Sequence, residues 1–266
     1  MADLRSLPLL SHDVDEPAVF SPKNLLEAAR RQKRLQKKGV PGGCVLDFDG
    51  ELVEHLAATG RGRPDRAWPC FHTRLYRWRS GGSEFGIIGG TVGAPFAVLV
   101  AEELFASGCC ALVSIGSAGR VASNLQPPFF VLIERALRDE GTSYHYLPPS
   151  TFVEADAPLL DQVQARLRRL RITVLRASTW TTDAPFRETA SRIALYRRKG
   201  IVAVEMEAAA LLALAAAHKR RVLCLSHVTN EMARAENDFE KGGEAGQERA
   251  IRLCEESLRA MLAMPE

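Results

Sequence analysis

The sequence predicts an α/β fold: one domain on a central mixed, mainly parallel β-sheet flanked by helices. Three observations lead there. From residue 44 onward, short apolar runs alternate with longer runs of helical periodicity. Two of the apolar runs end in glycine-rich turns, Gly89-Gly90-Thr91-Val92-Gly93 and Gly116-Ser117-Ala118-Gly119. The 266 residues contain no internal repeat and no low-complexity linker, so a length that allows one or two domains at ~150 residues each is read as one.

In chain order, residues 1–20 read as a loose arm. Segment 22–38 is helix-like, with Leu25, Leu26, Ala29 and Leu35 as a thin apolar stripe amid charge, and Gly39-Val40-Pro41-Gly42-Gly43 breaks it. CVLDF (44–48) is a short strand, and 60–68 is a loop rich in Gly, Arg and Pro. Residues 71–78 and 84–90 form the two arms of a hairpin around RSGG. Pro95 suits the first turn of a helix over FAVLVAEELFAS, which Ser107-Gly108 ends. ALVSIGSAG and FFVLIERAL are strands; DQVQARLRRL is an amphipathic helix; ITVLRAST is a strand; ETASRIALYRRKG is a helix ending at Gly200. IVAVE is a strand, and MEAAALLALAAAH is apolar nearly all round, the mark of a buried helix. RVLCLSHVTN is the last strand and 244–263 the terminal helix.

Composition narrows the classes. Apolar residues at 46% and charged residues at 25% exclude wholesale disorder, collagen and coiled coil. No run approaches the ~18 apolar residues of a membrane helix, and the Ala/Leu stretch 208–217 is flanked by Glu207 and Lys219. Asp3, Asp13, Asp15 and Glu16 fit neither a secretory signal nor a transit peptide, so a cytoplasmic protein without a membrane partner is expected. The net charge of +3 is uneven: Lys23, Arg30, Arg31, Lys33, Arg34, Lys37 and Lys38 stand against Glu27 in segment 22–38, which leaves the body mildly acidic. With no aromatic interleaved among these bases, the segment reads as a solvated face or an oligomer contact, and no nucleic-acid partner is expected. The six cysteines form no C-x-x-C pair and read as reduced, mostly buried thiols. The six histidines show no i,i+4 pair, so no metal is expected.

Three pieces bear on chemistry. The two glycine turns stand at carboxyl ends of strands, where open α/β sheets bind ligands and where backbone N–H groups can cradle an anion. Neither fits G-x-G-x-x-G or the P-loop, and Ser117 lacks the nucleophile-elbow spacing; each read alone is a tight turn or an anion seat. Glu205-Met206-Glu207 lies where an apolar strand meets an apolar helix, so the carboxylates need partners: a structural hydrogen-bonder or a holder of a ribose diol. Asn230 ends the last strand, as an Asx turn or as a group with both donor and acceptor for a heterocycle edge.

Together these pieces resemble the purine nucleoside phosphorylase and uridine phosphorylase family with its related nucleosidases. The resemblance runs from about Cys44 to Met261 through GGTVGAPFAVLVAEEL, ALVSIGSAGRV, LRDEGTSYHYLPP, STWTTDAPFRE, and VAVEMEAAALLALAAAH followed by VLCLSHVTN. It implies a single-domain, three-layer phosphorylase-like fold over 44–266, preceded by an arm and basic helix at 1–43. It implies cleavage of an N-glycosidic bond in a nucleoside, purine by preference, with no cofactor and inorganic phosphate as co-substrate. The partners implied are nucleoside, phosphate and further copies of the chain, as a dimer, trimer or hexamer. Glu207 corresponds to the acid on the ribose 2′- and 3′-hydroxyls, Met206 to the apolar floor beneath the ribose, and Glu205 to a supporting neighbour. Gly90, Thr91 and Ser117 match the phosphate-binding turns. Arg66 resembles an arginine lent to the phosphate by a neighbouring subunit. Asn230 stands where many bacterial members carry an Asp that protonates the purine, which makes Glu207 and Asn230 the catalytic pair. Trp180, Asp183 and Phe186 fall in the stretch that contacts the base.

The sequence departs from the pattern at the phosphate. Stretch 46–53 replaces a P-G-D-P-x-R-like turn, with Val53 at the arginine position and three acids in the turn, and Ser114 stands at a second arginine position. Arg120 or an arginine of segment 74–79 is available to compensate. Charge-assisted bonds are what hold a phosphate dianion, so a phosphate-independent nucleosidase and a non-catalytic nucleoside-binding protein stand as the alternatives.

Overall fold

The computed structural model describes residues 7–231 and 244–265. Helix α1 (Pro22–Lys33) precedes β1 (Gly43–Asp47), α2 (Glu51–Ala58), β2 (Arg63–Pro64), β3 (Leu75–Ser80), β4 (Ser83–Gly89) and α3 (Ala94–Ala106). Then come β5 (Ala111–Arg120), β6 (Phe129–Asp139), β7 (Phe152–Glu154), α4 (Ala157–Arg169), β8 (Leu175–Thr182) and α5 (Ala190–Arg198). The chain ends in β9 (Ile201–Glu205), α6 (Ala208–His218), β10 (Arg221–Glu231) and α7 (Glu244–Leu262).

The strands form one mixed sheet in the order β10-β6-β8-β9-β5-β1-β4-β3-β2, with β7 on β6. Strand β10 also pairs with β5, so β5, β10, β6, β8 and β9 close into a ring from which β1, β4, β3 and β2 extend. Strands β1, β4, β5 and β10 run parallel to one another. Strand β9 meets β5 antiparallel only at its tip, Gly119 opposite Val204 and Arg120 opposite Ala203. That crossing gathers the carboxyl ends of β5, β9 and β10 at one place.

One apolar cluster packs α3 and α6 on the sheet through Leu104, Leu112, Leu211 and Leu214; another packs α2, α4 and α7 through Leu56, Val113, Leu160 and Leu258. The sequence Ala208–Leu214 is buried on every side, as its uniform apolarity requires.

The departures from the sequence reading are local. Helix α2 buries Leu52 and Leu56 and has no side-chain cap beside it in the chain; Asp47 supplies one from the strand, its Oδ2 accepting from Leu52 N at 2.8 Å and Val53 N at 3.0 Å. Strand β7 is three residues long, below what periodicity can register. The arm is less loose than expected: His12 stacks on His145 at 4.8 Å and its Nε2 meets Tyr144 O at 3.1 Å. Helix α1 buries Leu26 and Ala29, and Lys33 donates to the carbonyls of Pro69 and Cys70 at 2.8 and 2.7 Å. Of the six cysteines, Cys110 alone is exposed.

Candidate active site

Glu205 ends β9 and Glu207 caps α6, and the two carboxyl groups part company. Glu205 turns to β8 and to the helix end: Oε1 accepts from Thr179 Oγ1 at 3.1 Å and Thr181 Oγ1 at 2.5 Å, and Oε2 accepts from Glu207 N at 2.8 Å and Ala208 N at 2.6 Å. Four donors satisfy both oxygens, and two of them are N–H groups orphaned at the start of a helix. Its role is to hold the β9–α6 junction.

Glu207 turns the other way, to the turn after β4. Oε1 accepts from Gly93 N at 2.7 Å and Oε2 from Met206 N at 3.2 Å. Gly93 holds φ at +91°, which a residue with a Cβ adopts only under strain, and from there starts α3 with Pro95 in its first turn. Burial pushes the Glu207 carboxyl up to about 8, Glu205 adds to the shift, and the Gly93 and Met206 bonds oppose it. A nearly buried acid with few partners is poised to take donors from a ligand. Two residues before Gly93 in the chain, Thr91 is fully buried with no hydrogen-bond partner for its hydroxyl among the described residues. An orphan of that kind costs about 1–3 kcal/mol, which a ligand oxygen would relieve.

The second glycine turn is occupied from within. Asp49, in the β1–α2 loop, accepts from Ser117 N at 2.6 Å through Oδ2 and from Ser117 Oγ at 3.0 Å through Oδ1. The loop is pinned there because Phe48 N donates to Ile115 O at 2.9 Å and the Phe48 ring fills the space over Gly116. Phe48, Ser114, Ser117, Glu205, Glu207 and Cys224 line one small cavity. Asp47, just behind, is pushed up to about 7 by burial, with Asp49 adding to it and the α2 N–H groups opposing.

The sequence-expected residues divide as follows. Glu205, Glu207 and Ser117 share the cavity, with Met206 between the acids and Gly90 and Thr91 on the adjoining turn. Asn230 pairs with Gly119 at the end of β10, and its side chain lies outside the described residues. Trp180 must be withdrawn as a base contact. It is 0% exposed, packs against Tyr196 and donates through Nε1 to Asp139 at 2.9 Å, because it faces the core between β8 and α5. Asp183 accepts from Gly141 N at 2.8 Å and ties two loops. Phe186 is fully exposed on a 3-10 turn. Arg66 is also exposed and lines a separate cleft with Lys38, Arg63 and Arg77, away from Ser117 within the protomer.

Two arginines of segment 74–79 and Arg120 have partners of their own. Arg77 is held by Asp65 and Glu84, Arg79 stands 3.6 Å from Glu84, and Arg120 donates to Leu125 O. Sequence reasoning missed Asp49, Thr179 and Thr181, whose partners are 68, 26 and 24 residues away; no local signal marks such contacts. A larger cleft of about 750 Å³, lined by Pro128, Phe130, Val174, Arg249 and Arg252, contains none of the expected residues. Among the described residues no group of three His, Cys, Asp or Glu side chains is placed to hold a metal ion. No helix among them is long and apolar enough to cross a membrane.

This geometry has relatives. Purine nucleoside phosphorylase DeoD-type 1 from Shewanella oneidensis is 27% identical over 156 residues, 58% of this chain and 66% of that relative, so the match spans just under two thirds of its length. Uridine phosphorylase from Vibrio fischeri superposes with a TM-score of 0.71 at 18% identity, over 87% of this chain and 96% of that one. Purine nucleoside phosphorylase from Toxoplasma gondii, solved with immucillin-H, gives the same TM-score and identity over 86% and 93%. At that identity the superpositions establish the fold. The model of the Phosphorylase superfamily matches residues 43–259, from the start of β1 into the last turn of α7, and the chain therefore belongs to that superfamily.

Proposed function

We propose that this chain cleaves the N-glycosidic bond of a nucleoside, a purine nucleoside by preference, and passes the ribosyl group to phosphate. The observation that carries the reading is Glu207: a buried carboxyl at the junction of β9 and α6, held by the turn after β4 that also carries the orphaned Thr91 hydroxyl. Its ionised form accepts from the two ribose hydroxyls, which fixes the sugar while positive charge develops at its anomeric carbon. Met206 supplies the floor of the sugar site. Asn230 donates to the leaving base and stabilises the charge arriving on it. Gly90, Thr91 and Ser117 receive phosphate, with Arg66 brought by a neighbouring protomer of a homo-oligomer; Asp183 and Phe186 border the base. No cofactor is required.

A second reading, transfer to water, is favoured by one observation: the seat at Ser117 already holds the Asp49 carboxylate, and Val53 and Ser114 stand where arginines are expected.

The test is base release by the purified full chain from a panel of purine and pyrimidine nucleosides, with and without phosphate. Release that depends on phosphate supports the first reading, and release independent of it the second. No release in either condition sinks both. Glu207→Ala should lower kcat/KM about 100-fold, as expected for two charge-assisted bonds at ~1.5 kcal/mol each.

A further inference from the structure

We propose that Asp49 is a specificity-determining residue that acts as an internal anion: its carboxylate occupies the phosphate seat at Ser117 and sets how strongly, or whether, phosphate binds there. The inference rests on the reading of that turn as the anion seat and goes beyond it by naming what competes for it.

A glycine turn at a strand end offers an anion a backbone N–H and a neighbouring hydroxyl. Here both donors of Ser117 are taken by the two oxygens of one carboxylate, at 2.6 and 3.0 Å. A phosphate oxygen needs the same donors in the same place. Asp49 is delivered by the fold itself. Asp47 is in register with Ile115 in the parallel β1–β5 pair, Phe48 N donates to Ile115 O, and the next residue falls opposite Ser117. Being tethered, the carboxylate competes at an effective concentration far above that of a free ion. It also brings a like charge to the place where the incoming dianion would sit. Asp47 and Glu207 are the buried acids that feel its charge. Ser117 and Asp49 thus form a closed clip that phosphate must open.

The rival explanation is a purely structural clip between the β1–α2 loop and β5. Calorimetric titration of the full chain with inorganic phosphate, in the absence of nucleoside, separates the two. Asp49→Ala and Asp49→Asn should bind phosphate at least tenfold more tightly than the wild type, and Ser117→Ala placed on Asp49→Ala should cancel the gain. Binding that becomes detectable only in the Asp49 variants supports the proposal equally. If phosphate affinity is unchanged or weaker in both variants while circular dichroism shows a native fold, the proposal is overturned; a fall in melting temperature alone marks the structural clip. Should Asp49→Ala fail to fold, Asp49→Asn, which keeps the volume and removes the charge, decides the matter. The measurement involves no turnover, so its failure is distinct from failure of nucleoside cleavage, which the nucleoside panel reads.

Discussion

Glu205 and Glu207 are two residues apart and of one type, yet their surroundings give them different work. Glu205 has four donors from two segments, two of them threonine hydroxyls on β8 and two N–H groups at the start of α6. Removing it orphans buried groups on both sides of the junction. Glu205→Ala should therefore cost about 3 kcal/mol, roughly a 10 °C fall in melting temperature for a chain of this size, read by calorimetry. Glu205→Gln, which keeps acceptors on one arm, should recover part of the loss. Among the described residues Glu207 accepts from Gly93 and Met206 alone, so its replacement should move activity more than melting temperature. The sequence placed both acids at an apolar strand–helix junction and could say that each needed partners. It could not apportion the partners, because Thr179, Thr181 and Gly93 are remote in the chain.

At the scale of elements, the site depends on how closely the β1 exit lies over β5. Gly116 makes that approach possible: a Cβ there would sit 2.7 Å from Phe48 Cδ2 and 3.1 Å from Phe48 Cβ. Gly116→Ala should push the β1–α2 loop outward, lengthen the Asp49–Ser117 bonds and cost about 2 kcal/mol as overpacking. A thermal melt checks the stability, and Gly116→Ala combined with Phe48→Leu should regain part of it. The glycine turns were visible in the sequence as punctuation at strand ends. Helix α2 was not, because its cap comes from Asp47 in the preceding strand rather than from a Ser, Thr, Asp or Asn beside its first turn. The same helix takes up the end of stretch 46–53, with Val53 inside its first turn.

The whole molecule holds several carboxyl groups away from water. Asp47 is pushed to about 7 and Glu207 to about 8, and burial raises Glu205 as well. In the unfolded chain such groups release their protons near pH 4. Between that pH and about 8 the folded state therefore binds more protons than the unfolded state, and stability falls as pH rises. Their contribution is fully present below pH 4 and is lost as pH passes through 7 to 8. Glu248 has the opposite sign, but it lies at the surface beside His55 and Arg61 and counts for less. Calorimetric melts at pH 5, 7 and 9 should show a decreasing melting temperature, and Asp47→Asn should flatten the decline between 5 and 7. A melting temperature that rises across this range would contradict the assignment.

What the sequence determined by itself is the order and kind of the main elements, the buried α6, the strand-end glycine turns and the Glu205-Met206-Glu207 junction. Each is encoded locally, by periodicity of 2 or 3.6, by glycine at a strand end, or by an acid in an apolar run. Tertiary structure alone decided that β10 returns to β5 and closes the sheet, which brings the ends of β5, β9 and β10 together. It also decided that Trp180 is core and that Asp49 sits on Ser117. Those outcomes depend on contacts between residues far apart in the chain, fixed by which faces pack and which strands pair.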